Sequence, residues 1–315
     1  INGQPSEATY YQKAAELWQI QANLKEATAT LKTGIARAAA PSVLYAALAR
    51  LELQQGNWED AESILQQAMP IVGETTDLVA AMGEVLAEKS EDDAEAWYHT
   101  VLERQPRVAA IHVALANFYL RTGKTELALA SIRQALELEP ANAGTYVMLG
   151  NALELAQQSE DAVAAYRQAI ALEPTLVDGY AALAALYQTQ EKWEEAQAVF
   201  TQALEIAPAD GVLRIDYGAF LLKRNQEEEA LAVLASADQL APTSAMLVAR
   251  AAVYQSIDRP DDARRDLELA FQEQAGSLDV LLALGELYRT TGESAKAQQM
   301  HERAVQLNVA LKKEE

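Results

Sequence analysis

Cysteine is absent from the 315 residues, which removes disulfides, thiolate nucleophiles, iron–sulfur clusters and cysteine-based zinc sites together. Histidine is scarce. His99, His112 and His301 are the only three, and no two stand at the i, i+4 spacing that puts a pair of metal ligands on one helix face. Positive charge is short as well: 25 Lys and Arg face 46 Asp and Glu, a net charge of −21. Nucleic acid is therefore disfavoured, because its binding rests on cations that neutralise phosphate, and anionic membrane surfaces are disfavoured for the same reason. No apolar run approaches the roughly 20 residues that span a bilayer, so no membrane insertion is expected within the chain. Aromatics make up only 6% and β-branched runs are short. Ala, Leu, Gln and Glu are abundant instead, and these are helix formers. The hydrophobic fraction of 50% argues against wholesale disorder. The chain opens on Ile1, which reads as a processed product or an excised piece. Cytoplasm and periplasm both fit this composition.

A strict period runs through the chain. Pro106, Pro140, Pro174, Pro208 and Pro242 are each 34 residues apart. Ala94, Ala128, Ala162, Ala196 and Ala230 share that step, as do Ala135, Ala169, Ala203 and Ala237. Internal repetition of this length signals stacked supersecondary units. Within 109–142, Ile111, Leu115, Phe118 and Tyr119 follow helical spacing. Gly123 suits a left-handed turn, and Leu127, Ala128, Ile132, Ala135 and Leu136 form the apolar face of a second helix. Pro140 stops that helix. The same turn position elsewhere holds Gly56, Asn225, Asp258 and Gly292, all residue types that tolerate positive φ. Trp58 and Trp193 fall two residues later and are expected to pack the turn.

Residues 143–176 carry Tyr146, Leu149, Gly150, Leu153, Ala162, Tyr166, Ala169 and Pro174 at fixed places, and 177–210 carry Tyr180, Leu183, Ala184, Tyr187, Ala196, Phe200, Ala203 and Pro208. This pattern resembles the tetratricopeptide repeat family. The resemblance implies an all-α fold: an α-solenoid in which helix-turn-helix repeats stack into a right-handed superhelix, the first helix of each lining the concave face. Nine units follow, at 8–41, 42–74, 75–108, 109–142, 143–176, 177–210, 211–243, 244–277 and 278–311, with a lead-in at 1–7 and a charged tail at 312–315. The two-domain expectation from length alone gives way to one elongated array. Units 42–74 and 211–243 are one residue short. In 75–108, Met82-Gly83 sits one residue late and the turn lacks glycine, and in 244–277 Ala275 replaces the terminal proline.

Chemistry is hard to assemble from these residues. Thr122-Gly123-Lys124-Thr125 lacks the earlier glycine of a phosphate loop, Phe118 standing in its place. The three histidines read as partly buried structural groups. Acidic pairs such as Glu59-Asp60, Glu160-Asp161, Glu194-Glu195 and Asp261-Asp262 open second helices, where the helix dipole favours them. No catalytic grouping, metal site or cofactor cradle emerges, so a non-enzymatic role is expected.

The resemblance places the groove at the second, fifth, ninth and twelfth residues of each unit. The fifth positions hold Val79, Val113, Val147, Ala181, Ile215, Val248 and Leu282. The ninth include Arg50, Asn117, Asn151 and Glu286, and the twelfth include Leu53, Leu86, Leu120, Glu154, Gln188 and Leu222. A mainly apolar groove of this kind suits an extended peptide or an amphipathic helix of a protein partner. The same positions also pack against the preceding unit, and asparagine there also bonds neighbouring backbone. Capture of a free C-terminal carboxylate is not expected, because Val113 and Val147 stand where that subtype needs lysine, and Arg121 does not rebuild the clamp. Val147→Glu with Ile215→Glu is the test these positions suggest. Two alternatives stand beside a scaffold: self-association through uncapped ends, and the repeat portion of a larger export, assembly or regulatory protein.

Overall fold

The computed structural model describes residues 7–20, 23–237, 243–274 and 276–314. Pro242, Ala275, residues 1–6 of the 1–7 lead-in and Glu315 lie outside the described residues. Eighteen helices, and no strand, are present among the described residues. The chain forms two compact units, Ile1–Glu173 and Pro174–Glu315.

The first unit holds five hairpins: α1 (Glu7–Ile20) with α2 (Leu24–Arg37), α3 (Ser42–Gln54) with α4 (Trp58–Val72), α5 (Thr76–Lys89) with α6 (Glu91–Arg104), α7 (Ala109–Arg121) with α8 (Thr125–Leu138), and α9 (Ala143–Leu155) with α10 (Ser159–Leu172). The second unit holds α11 (Val177–Thr189) with α12 (Trp193–Ile206), α13 (Gly211–Lys223) with α14 (Glu227–Ala237), α15 (Ser244–Ser256) with α16 (Pro260–Glu273), and α17 (Leu278–Thr290) with α18 (Ser294–Glu314). In each unit successive hairpins stack, and first helices also touch one another, as α3, α5 and α7 do, and α13, α15 and α17. The fold is an all-α solenoid.

The period of the sequence has a physical cause at three places. Second helices approach their neighbours through alanine: Ala61, Ala94, Ala128 and Ala162 are wholly buried, where a longer side chain would hold the backbones apart. Pro106, Pro140 and Pro174 each follow the helix cap by one residue and stop α6, α8 and α10. The next first helix then reaches back to the proline carbonyl. His112 Nε2 lies 3.3 Å from Pro106 O, the Tyr180 hydroxyl donates to Pro174 O at 3.2 Å, and Arg214 Nη2 donates to Pro208 O at 2.8 Å. His112 is thus a structural link, as expected for the histidines. His99, whose side chain is 58% exposed, and His301 are surface groups instead.

Turns obey the left-handed expectation and extend it. Gly56, Gly123, Asn225, Asp258 and Gly292 all have positive φ, and so do Gln157 (φ 60) and Glu191 (φ 57) at the same turn position. A Cβ at Gly123 would meet nothing within 4 Å, so its substitution tests backbone strain alone. Gly123→Ala is expected to cost about 1 kcal/mol and Gln157→Gly to gain a few tenths up to about 1 kcal/mol. Urea midpoints followed by circular dichroism measure both, and equal midpoints would remove the left-handed turn as a source of strain.

One hairpin breaks the cadence. Ser90 alone joins α5 to α6, capping both helices, and its Oγ accepts from the Asp93 amide at 3.3 Å. The other described turns between paired helices use three residues, as at 122–124 and 156–158. Because α5 starts at Thr76, the missing residue lies in this link and not in 42–74. The fifth residue of α5 is then Ala80, and Val79 faces the core, fully buried against the α6 and α7 cluster.

Candidate functional site

The first helices α3, α5 and α7 bound a cavity of about 530 Å³. Its floor is apolar: Ala80 and Gly83 from α5, Ala110, Val113 and Ala114 from α7, with Phe118 behind. Gly83 is required there. A Cβ at this position would fall 2.3 Å from the Tyr98 ring and hydroxyl, so the glycine lets the ring lie across α5. The Tyr98 hydroxyl then reaches Ala80 O at 3.4 Å. Burial, and secondarily Glu84, push that phenol above its ordinary range, so it remains a neutral donor.

The rim is polar. Arg50 clasps Glu84 through two bonds, Nε to Oε2 at 2.7 Å and Nη2 to Oε1 at 2.9 Å. This bidentate geometry fixes both side chains against the wall. Opposite them, Asn117 and Arg121 stand one helical turn apart on α7, both exposed. Val113 and Leu120 flank them, half-buried. Of the sequence-derived positions, Val113, Asn117 and Leu120 therefore meet at one cavity.

On α9 the arrangement differs. The Tyr166 hydroxyl stands 2.6 Å from Glu154 Oε1 and 2.7 Å from Asn151 Oδ1 and shares its one proton between them. Asn151 and Glu154 are thus held by their own hairpin, while Val147 is half-buried beside them. Burial and the Glu154 contact raise the Tyr166 pKa above its ordinary range.

In the second unit Ala181, Gln188, Leu222 and Val248 are half-buried and Leu282 is 48% exposed. Ile215 departs from expectation. It is only 6% exposed, because α13 is enclosed by α12, α14 and α15. Glutamate at 215 would bury a charge and unfold the hairpin rather than test a surface. Leu282 opens onto a second cavity of about 360 Å³ between α17 and α18, with Gly285, Arg289 and His301 at its edge.

Away from the grooves, Glu95 accepts from Lys124 Nζ at 2.8 Å and from the Tyr119 hydroxyl at 2.9 Å. Lys124 is the main reason that Glu95 sits below the usual carboxylate range, and burial with Glu95 pushes the Tyr119 phenol up to about 12. This cluster ties α6 to α7 and α8. Among the described residues no group of three His, Asp or Glu is placed to hold a metal ion, and no helix is long and apolar enough to cross a membrane.

Sequence spacing did not reveal the Arg50–Glu84 clasp, although its partners lie one period apart. The opposite charges at corresponding places were the available signal.

Models of the tetratricopeptide repeat match the chain in several places: one over 187–252, a second over 91–143 and 114–177, and a third over 44–78 and 280–315. Among solved structures, a tetratricopeptide repeat protein from Parabacteroides merdae is 18% identical, with 71% of this chain and 90% of that one covered and a TM-score of 0.50. A thermophilic TPR protein in Thermus thermophilus is 26% identical over 56% of this chain and 96% of its own, with a TM-score of 0.45. A MamA structure is 23% identical over 50% and 93%, with a TM-score of 0.44. No curated protein matches the chain with significance.

Proposed function

Because the chain belongs to the tetratricopeptide repeat family, whose repeats generally mediate protein–protein contacts, we propose that it is a non-enzymatic scaffold that holds a segment of a partner polypeptide against its first helices. The observation that carries this reading is the α3–α5–α7 cavity, an apolar floor with an exposed amide and an exposed guanidinium on its rim. Such a surface buries an apolar anchor while the Asn117 amide, which is both donor and acceptor, bonds the main chain of an extended segment or the end of a helix.

A photo-crosslinking amino acid placed at Asn117, in the cells that make the protein, is expected to join a second polypeptide. The same probe at Gln134, exposed on α8, is expected to join none. Val113→Glu with Leu120→Glu should abolish the Asn117 product while far-UV helicity stays intact. Equal labelling from both probe sites, or a product that survives the double variant, would reject this face as the binding site.

A further inference from the structure

On the wall of the α3–α5–α7 cavity Arg50 and Glu84 are bonded to each other, and Arg121 has no such bond. Arg50 is held by Glu84 through two bonds, and Asp77 lies close enough to add to the field that holds the Arg50 proton. Arg121 lines the same cavity, is exposed, and has no ion-pair or hydrogen-bond partner among the described residues. It stands four residues beyond Asn117, so both side chains project from one face of α7. An apolar floor, a free amide and a guanidinium without a bonded carboxylate therefore share one opening.

We infer that this cavity selects, within the polypeptide partner proposed above, segments that set an Asp or Glu side chain beside an apolar or aromatic anchor. The inference rests on the scaffold reading and specifies its chemistry. Guanidinium presents a planar fork that matches carboxylate geometry, and Arg121 is the cavity cation that no carboxylate among the described residues bonds. The chain's net charge of −21 limits the match to one or few carboxylates. An acidic tract would be repelled by the rest of the surface, whereas a single carboxylate at Arg121 feels mainly charges within the screening length of about 8 Å at physiological salt. A free C-terminal carboxylate is not favoured, since valine stands at 113 and 147 and the other cavity cation, Arg50, is already bonded to Glu84.

Selection of a random phage-displayed dodecapeptide library on the full chain tests this. Recovered sequences are expected to pair an apolar anchor with Asp or Glu within about four residues. Made as fluorescein-labelled peptides, they should bind equally as amides and as free acids. Exchanging the acidic residue for its amide should weaken binding roughly three- to tenfold, Arg121→Gln should weaken it by the same factor, and the two together should do no more than either. Arg133→Gln on α8 should change nothing. A library without binders, binders indifferent to Arg121→Gln, or binding that requires the free C-terminus would overturn the inference. Peptides lost on Val113→Glu yet indifferent to the acidic residue would overturn it and leave the scaffold reading standing. The absence of crosslinking at Asn117 would instead strike the scaffold reading.

Discussion

Asp266→Ala should destabilise the second unit by about 3–5 kcal/mol. Arg250 and Asp266 form a bidentate pair at 2.7 and 2.6 Å inside the α15–α16 hairpin, with side chains only 4% and 2% exposed. Truncating the aspartate breaks both of these charged bonds inside an enclosed hairpin, where the loss of a paired carboxylate is most costly. The pair occupies places that other hairpins fill with apolar side chains: Leu149 with Ala165, and Leu284 with Met300. Copying the second of these, Arg250→Leu with Asp266→Met, should therefore return stability to the wild-type value or raise it by about 1–4 kcal/mol. Urea denaturation, with hydrogen exchange read on α15 and α16, separates the outcomes. A single variant that costs less than about 1 kcal/mol would mean the pair is hydrated, contrary to its enclosure.

Tyr166→Ala is expected to cost about 3–5 kcal/mol in the first unit, as deletion of a buried aromatic generally does. The ring is 1% exposed, and its loss also strands Asn151 and Glu154. Gly150 makes the sharper test. Alanine in a helix interior normally gains about 1 kcal/mol over glycine, but a Cβ here would stand 2.3 Å from the Tyr166 ring. Gly150→Ala should thus lose about 1–3 kcal/mol through overpacking. In the Tyr166→Ala background the obstacle is gone, and the same change should become favourable. Additive effects across the four proteins, measured by urea midpoint, would show that the glycine is not there to admit the ring.

The array was readable because its devices recur. Alanines at the helix contacts, prolines after the second helices and glycines in the turns each announce a local constraint that only certain residues satisfy. Gln157 and Glu191 adopt the same left-handed backbone without a sequence sign, because the helices on either side dictate the turn and the residue yields. The shortened hairpin left one clue, Met82-Gly83 standing late. With the deficit moved to Ser90, that glycine falls in step with Gly150, each facing a tyrosine of its own second helix. The groove was only partly legible. A residue's place on a first helix follows from counting, but its exposure depends on how closely neighbouring helices cover it, and Val79 and Ile215 are covered. The Arg250–Asp266 pair joins two helices across a turn, so it becomes visible only when the hairpin's register is known.

The one-residue link at Ser90 also bears on how such a chain can change length. The helices α5 and α7 still share one cavity, although the count between them has slipped. The shorter count is accommodated at the edge where paired helices connect. A connection at that edge can thus differ in length while the first helices keep a shared wall on the other side.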